Sequence, residues 1–148
     1  MALHTREIGM AKTIVCEVVS AEGEIFSGEV ELVVAPGAMG EIGIAPNHAP
    51  LLTYLKAGPV RLFEGDEEGV FFVSGGLMEV QQRRVTILAD SAIRAHDLDE
   101  AAALEVKRKA KEAMESQSDQ MQFSIAAAQF AEAIAQLRTI EALRRRNR

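Results

Sequence analysis

The sequence predicts an α+β protein in which an antiparallel β-sandwich or flattened barrel comes first and an antiparallel pair of helices follows. Between residues 13 and 95, glycine, proline or a polar cluster interrupts the chain every 6 to 12 residues, and short β-branched runs lie between. After His96 glycine and proline disappear and alanine dominates. The strands therefore belong to the first part of the chain and the helices to the second.

Five short runs carry the strand signal. They are TIVCEVVS, EVELVVAP, PVRLFEG, GVFFVSG and RRVTILAD. Their periodicity is close to two, as where Val30 and Leu32 flank Glu31. Gly58-Pro59 and Gly75-Gly76 are the sharpest turn signals between them. Many short strands with regular turns favour antiparallel pairing.

The first helix is predicted from DLDEAAALEVKRKAKEAMES. Asp97 with Glu100 three residues later is a capping-box pattern, which satisfies backbone N–H groups of the first turn. One face of this helix is expected to pack inward. Its members are Ala103, Val106, Ala110, Ala113 and Met114.

The second helix is predicted to start after the break at 116–118, where Asp119 and Gln122 repeat the capping pattern. Apolar residues at spacings of four and three then form a coiled-coil-like seam. They are Phe123, Ala127, Phe130, Ile134 and Leu137. So short a connection places the two helices antiparallel.

Alanines beside this seam, among them Ala126 and Ala133, let helix axes approach closely. They remove little apolar area from water, at about 25 cal/mol per Å2. We therefore expect a helical hairpin that is modestly held and can change what it packs against.

Composition limits the class of protein. The 48% hydrophobic and 26% charged residues are typical of a soluble globular protein, and the single cysteine, Cys16, cannot form an internal disulfide. A cytosolic setting fits. Through Ala95 there are 7 Lys and Arg against 13 Asp and Glu, which argues against a nucleic-acid partner. The arginines at 144, 145, 146 and 148 fit either a helix C-terminus or a docking role.

No residue pattern argues for catalysis. His4, His48 and His96 lack second ligands at metal-binding spacing, so no metal is expected. Cys16 lies in an apolar run, where a thiol is usually a small buried side chain. No phosphate-binding glycine loop is present. Ser74, His48 and Asp90 could be combined into a Ser-His-Asp catalytic triad. Every domain of this size offers such a combination, so it does not argue for catalysis.

The stretch GAMGEIGIAPNHAPLL holds a charged residue and a histidine among glycines and prolines. Pro46 and Pro50 restrict the backbone around His48, which is expected to fill a corner and to hydrogen-bond with backbone. Glu41 is expected at a loop tip, as a surface charge or a contact point.

Together these residues resemble one family. The segments VVSAEGEIFSGEVELVVAPGAMGEIGIAPNHAPLL, FFVSGGLMEVQQRRVTILAD and SAIRAHDLDEA are similar to the epsilon subunit of bacterial F-type ATP synthase, as is the alanine-rich end with AIAQLRTIEAL. The pattern GxxGExGIxPxHAPLL followed by SGG and LAD is the specific part. Residues 1–12 match nothing and Met10 is an alternative start, so we expect an extension at 1–12, the sandwich at 13–95 and the hairpin at 96–148.

The resemblance implies a ten-stranded sandwich and a two-helix hairpin in a non-catalytic, cofactor-free subunit of the rotary central stalk. The subunit would lie on the cytoplasmic face of the bacterial inner membrane, peripheral to it. Its sandwich would hold the gamma subunit and rest on the membrane-embedded c-ring, which couples proton flow to ATP synthesis. The residues implied to contact the c-ring are Gly40, Glu41, Ile42 and His48.

The hairpin is implied to be the regulatory element. It would fold against the sandwich or extend along gamma toward the alpha and beta subunits, where its cations meet an acidic beta loop and ATP hydrolysis is blocked. The implied beta contacts are Lys107, Arg108, Lys109, Lys111, Arg144, Arg145 and Arg146.

The chain departs from the family at the nucleotide-binding motif of the form Ile/Leu-Asp-x-x-Arg-Ala. Leu98 and Asp99 match it, but Ala102 stands at the arginine position. On the second helix, Ile125 and Glu132 stand where binders carry arginines. Without guanidinium groups to pair with phosphates, we expect millimolar affinity for ATP or none.

Two other classes stay open at this stage. A free-standing ATP-sensing or ligand-binding module would need the missing arginines. A hydrolase using Cys16 or His48 would lose activity on His48→Ala.

Overall fold

The structure, a computed structural model, describes residues 12–116 and 119–147. The predicted N-terminal extension falls almost wholly on residues outside these ranges. Ten strands are present: β1 Ile14–Ser20, β2 Gly23–Val30, β3 Leu32–Gly37, β4 Gly40–Ile44, β5 Leu51–Leu55, β6 Gly58–Glu64, β7 Glu67–Val73, β8 Gly76–Val80, β9 Arg84–Ala89 and β10 Ala92–Arg94. A short 3-10 turn, Ala95–Asp97, leads to helices α1 Glu100–Ser116 and α2 Gln120–Arg146.

The strands form one sheet that folds over into two layers. Its order is β10-β7-β6-β3-β5-β8-β9-β1-β2, with β4 paired to β3. The layers meet at Gly37 of β3, which pairs with Leu55 of β5. At the other side Phe26 of β2 packs edge-on against Phe71 of β7, with ring centroids 5.7 Å apart. The predicted ten-stranded sandwich followed by two helices is confirmed.

One strand pair departs from the antiparallel pattern. β1 runs parallel to β9, with Val15 opposite Arg84 and Val19 opposite Leu88. The other pairings among the described strands are antiparallel. β1 is the first strand along the chain and β9 is the ninth. Local turn signals could not predict a pairing between strands so far apart in sequence.

The core between the layers is built from inward-facing aliphatic side chains. Val18, Val33, Val60 and Ile87 are each 0% exposed, as is Cys16. Burial raises the pKa of the Cys16 thiol to about 12. The thiol is therefore held neutral, as the sequence predicted for a small buried side chain.

The SGG and LAD segments meet in a clasp between the β7–β8 and β9–β10 turns. Ser91 donates from its backbone N–H and its hydroxyl to Ser74 Oγ, at 2.9 and 2.8 Å. Asp90 donates its N–H to the carbonyl of Gly75 at 2.9 Å. Gly76 has φ +142°, and a Cβ there would lie 2.2 Å from the carbonyl oxygen of Leu88. Only glycine fits at this close approach.

The helix starts correct one prediction and confirm another. Asp119 caps α2 by accepting a hydrogen bond from the Met121 N–H at 2.9 Å, as predicted. Asp97 does not cap α1, because it lies in the 3-10 turn. Asp99 takes that role, and its Oδ1 accepts from the Ala102 N–H at 3.1 Å.

The two helices pack chiefly through alanines, among them Ala126 and Ala133, which the sequence predicted to let the helix axes approach. Ala103 and Ala110 of α1 are buried, as are Ala126, Ala133 and Ile140 of α2. The seam from Phe123 to Leu137 was wrong as a buried interface: Phe123 is 41% exposed and its other members are half-buried. Val106, expected inside, is 45% exposed. Close approach of the helix axes favours the small residues.

The hairpin rests on the sandwich through a second, small core. The last turns of α2 place Ala142 and Leu143 against Val70 of β7 and Ala95 of the 3-10 turn. This cluster is far smaller than the sandwich core and is separate from it. The core of the sandwich is therefore complete without side chains of the hairpin.

We expect Gly76→Ala to destabilise the sandwich more than Gly23→Ala. Both glycines have positive φ, +142° and +129°, but a Cβ at Gly23 meets no atom within 4 Å. Gly23→Ala should cost about 1–2 kcal/mol from backbone strain alone. Gly76→Ala adds a clash with the backbone of β9, so its cost should reach at least about 3 kcal/mol. Urea unfolding of both variants measures the difference, and equal costs would contradict the clasp.

Candidate partner-binding surfaces

The β3–β4 hairpin projects from one layer of the sandwich. A Cβ on Gly37 would lie 2.5 Å from Ile42 Cδ1 and 2.7 Å from the Gly40 carbonyl oxygen, so the tight turn requires glycine there. Met39 stands at the tip and is 99% exposed. Ile42 packs against the sandwich core. Among the predicted c-ring contacts of this hairpin, exposed surface is therefore offered by Gly40 and Glu41 rather than Ile42.

Glu41 does not lie at a loop tip, as the sequence suggested, but on strand β4 opposite Pro36. Its Oε1 is 3.2 Å from Nη2 of Arg61 on β6, and its side chain is 62% exposed. Arg61 also lies over the Phe63 ring, 5.6 Å from the centroid. The exposed carboxylate thus has a cationic neighbour within the sheet, and the sequence could not predict this partner 20 residues away.

His48 occupies a corner between β4 and β5, as predicted. Its ring Nδ1 donates to the Ala49 carbonyl at 2.7 Å, and its backbone N–H donates to the Ala45 carbonyl at 3.2 Å. Asn47 before it has φ +68°, in the left-handed region. His48 follows the end of β4 whereas Gly40 begins it, and a five-residue strand spans about 13 Å. The shared c-ring contact of the two stays a prediction.

An apolar row crosses the outer face of the other layer. Register pairs Tyr54 with Leu77, Leu77 with Leu88, and Leu88 with Val19. Tyr54 is 74% exposed and Leu88 is 48% exposed. We call these four residues the apolar row. Sequence analysis missed it, although LLTYL in β5 carries apolar residues on both faces of the strand, which is the signal for a strand covered on two sides.

A groove separates the C-terminal half of α2 from the β3–β4 hairpin and the β5–β6 connection. Its volume is about 380 Å3. The cations on its walls are Lys56, Arg138 and Arg145, and the anions are Glu41 and Glu141. The structure thus brings together two predicted contact residues, Glu41 for the c-ring and Arg145 for the beta subunit.

Two of the four predicted beta contacts on α1, Arg108 and Lys109, form ion pairs along their own helix. Arg108 pairs with Glu105 at 2.6 Å and with Glu112 at 2.8 Å, which raises the pKa of Arg108 and lowers that of Glu105. Lys109 lies 3.8 Å from Glu105. Lys107 is half-buried and Lys111 is exposed. These ion pairs persist wherever α1 moves as a helix.

The predicted contacts at the end of α2 instead reach other elements. Arg144 pairs with Glu100, the first residue of α1, and this hydrogen-bonded partner raises the pKa of Arg144. Arg146 Nη1 donates to the Glu68 carbonyl of β7 at 2.6 Å. Arg145 lines the groove. All three lie in the last turn of α2, where the macrodipole also favours cations.

The degenerate nucleotide motif serves the fold. Asp99 caps α1, and Ala102 at the arginine position is exposed. Ile125 is 55% exposed and Glu132 is exposed on α2. Within residues 12–116 and 119–147, no His, Cys, Asp and Glu side chains group as metal ligands. None of the helices in these ranges combines the length and the hydropathy needed to cross a bilayer.

Two family models match the chain. The model described as ATP synthase, Delta/Epsilon chain, beta-sandwich domain matches residues 13–95. The model described as ATP synthase, Delta/Epsilon chain, long alpha-helix domain matches residues 96–141.

Relatives and solved structures point the same way. The ATP synthase epsilon chain of Halorhodospira halophila is 54% identical over 136 residues, which cover 90% of this chain and 96% of the relative. ATP synthase epsilon chain 1 of Methylococcus capsulatus is 58% identical over 137 residues, covering 92% and 98%. A chain of the Euglena gracilis mitochondrial ATP synthase shares the fold at TM-score 0.75 and 16% identity, with 94% and 84% covered. A chain in the central stalk and c-ring structure of Tetrahymena thermophila gives TM-score 0.62 at 13% identity, with 88% and 98% covered. The chain therefore belongs to the family of bacterial ATP synthase epsilon chains.

Proposed function

We propose that this chain is a non-catalytic subunit of the ATP synthase central stalk, with a sandwich that joins gamma to the c-ring and a hairpin that restrains ATP hydrolysis. It would act on the cytoplasmic face of the bacterial inner membrane, peripheral to it, and couple proton flow to ATP synthesis. The single observation that carries the proposal is the pairing of a densely packed sandwich with a lightly docked hairpin. The first suits a joint that carries torque, and the second suits a switch.

The apolar row is the surface we assign to gamma. Tyr54, Leu77, Leu88 and Val19 lie side by side on four adjacent strands, so they offer a continuous stripe rather than scattered side chains. The next row along the same strands contains Glu79, Thr86 and Glu17 beside the exposed Leu52 of β5, so the border of the stripe is polar on three of the four strands. An apolar stripe with a polar rim is the pattern of a protein–protein interface.

The exposed edge of the β3–β4 hairpin is the surface we assign to the c-ring. Gly37 fixes the turn, and Glu41 lies on strand β4 with its carboxylate 3.2 Å from Arg61. A contact that transmits torque needs residues whose positions are set by a scaffold. The glycine turn and strand β4 provide that scaffold here. Met39 at the tip and Gly40 complete this edge.

The hairpin is the element we assign to regulation. Alanine removes less apolar area from water than Leu or Phe, and the contact with the sandwich is a small cluster around Ala142 and Leu143. Two packings separated by a few kcal/mol are what a switch requires. When α2 leaves the sandwich, its terminal arginines become available to acidic surfaces of the beta subunit.

We expect Tyr54→Ser to weaken capture of the purified chain by gamma about tenfold or more, because Tyr54 is the most exposed side chain of the apolar row. Leu104→Ser is the matched control, since Leu104 is 48% exposed on α1, away from the row. Immobilised gamma and surface-based binding measure both affinities. Equal losses for the two variants would sink the assignment of the row to gamma.

Deleting residues 96–148 should raise ATP hydrolysis by a complex reassembled without its own epsilon chain and then supplied with the variant. Assembly should persist, because the sandwich core does not include the hairpin. ATPase rate and co-purification with gamma are the two measurements. An unchanged ATPase rate in a complex that contains the truncated chain would refute the regulatory role.

We expect ATP to leave the thermal stability of the isolated chain unchanged below millimolar concentration. Ala102 offers no guanidinium, and Asp99 is engaged as a helix cap. Thermal unfolding with and without ATP tests this, with Ala102→Arg as the variant that should gain affinity. Stabilisation of the unaltered chain at micromolar ATP would favour the ATP-sensing module instead.

A further inference from the structure

The ion pair between Glu100 and Arg144 stands apart from the other ion pairs of the described residues. It joins the first residue of α1 to the last turn of α2, whereas Arg108 and Lys109 pair within α1 and the Arg61 and Arg84 pairs lie within the sandwich. Within residues 12–116 and 119–147 it is the ion pair that depends on how α1 and α2 are arranged.

Its position makes the pair sensitive to docking of α2. Ala142 and Leu143, immediately before Arg144, form the small core with Val70 and Ala95. Arg146, two residues after, donates to the Glu68 carbonyl. If the end of α2 moves away from the sandwich and from α1, the contact between Arg144 and Glu100 therefore breaks.

Both partners are accessible from solvent. The side chains of Arg144 and Glu100 are 52% and 39% exposed. A solvent-exposed ion pair of this kind contributes little free energy, because water screens both charges, and its partners can be exchanged. A carboxylate on another protein can take the place of Glu100 on the guanidinium once α2 has moved.

We propose that Glu100 is an internal counterion that retains Arg144 in the compact hairpin, and that an acidic partner surface competes with it for the same guanidinium. This inference rests on the proposed regulatory role and assigns one carboxylate to setting the balance between the compact and released hairpin. A positively charged α2 terminus thus has two alternative acceptors, one inside the chain and one outside.

The test measures how often α2 undocks in the full chain. Ala142, 3% exposed in the docking core, is replaced by cysteine, and the rate of its reaction with a thiol reagent reports the undocked fraction. The native Cys16 is 0% exposed, and its pKa of about 12 keeps it unreactive in the folded chain. All variants carry this same reporter.

Glu100→Gln and Arg144→Gln should each raise the labelling rate about two- to fivefold, as expected for loss of a surface ion pair. The double variant should label no faster than either single variant, because each change removes the same interaction. Glu112→Gln is the matched control: its partner Arg108 lies on the same helix, so its labelling rate should not change.

Two results would overturn the proposal. One is an unchanged rate for Glu100→Gln. The other is multiplication of the two single effects in the double variant, which would mean that Glu100 stabilises α1 only through the helix macrodipole.

The same variants in the reassembled complex separate this inference from the proposed function. The Glu100→Gln chain should inhibit ATP hydrolysis more strongly than the unaltered chain. The Arg144→Gln chain should not, because it also loses the contact between Arg144 and the acidic partner surface. If deletion of residues 96–148 leaves hydrolysis unchanged, the regulatory role fails. The labelling rates still decide whether Glu100 holds Arg144.

Discussion

The organisation of this chain depends on an unequal distribution of buried side-chain size. The sandwich buries valines, isoleucines and phenylalanines between its layers, each of which contributes about 1.5–3 kcal/mol when removed from water. The hairpin buries chiefly alanines, whose single methyl groups contribute about 0.8 kcal/mol each. The sandwich consequently has the larger apolar core, and the hairpin contacts it through fewer and smaller side chains. Both proposed roles follow from this difference.

The alanine positions also set the geometry of the hairpin. Ala103 and Ala110 are seven residues apart, as are Ala126, Ala133 and Ile140. Ala103 of α1 and Ala133 of α2 line the same cleft between the two helices. Small side chains at such positions let the axes approach, and they leave the larger Phe123 and Ile125 partly in water. Under the proposed function, this apolar surface outside the interface is available for a second packing of the hairpin.

How much the sequence could predict depended on the range of the interaction. Alternation along the strands and the cap at Asp119 are local, and both were predicted correctly. The buried face of α2 was predicted in part: Ala126 and Ala133 are buried as expected, whereas Phe123, placed on the same seam, is 41% exposed because close approach of the axes favours the small residues. The partner of Glu41 could not be inferred, since Arg61 reaches it through sheet register across β3. The apolar row likewise emerges only when β5, β8, β9 and β1 are aligned.

The arginine-rich end was open to two interpretations, a helix terminus suited to cations or a docking element, and the geometry shows why the two are compatible. Arg144 and Arg146 bind acceptors on α1 and β7, and Arg145 faces the groove that Glu41 also lines. The compact hairpin thereby places a cation near the carboxylate that we assign to the c-ring. Under the proposed function, a partner bound at the Gly40–Glu41 edge experiences one electrostatic field when α2 is docked on the sandwich and another when α2 has moved away. By thermodynamic linkage, binding at that edge must then shift the hairpin equilibrium by the same free energy with which the hairpin shifts the binding.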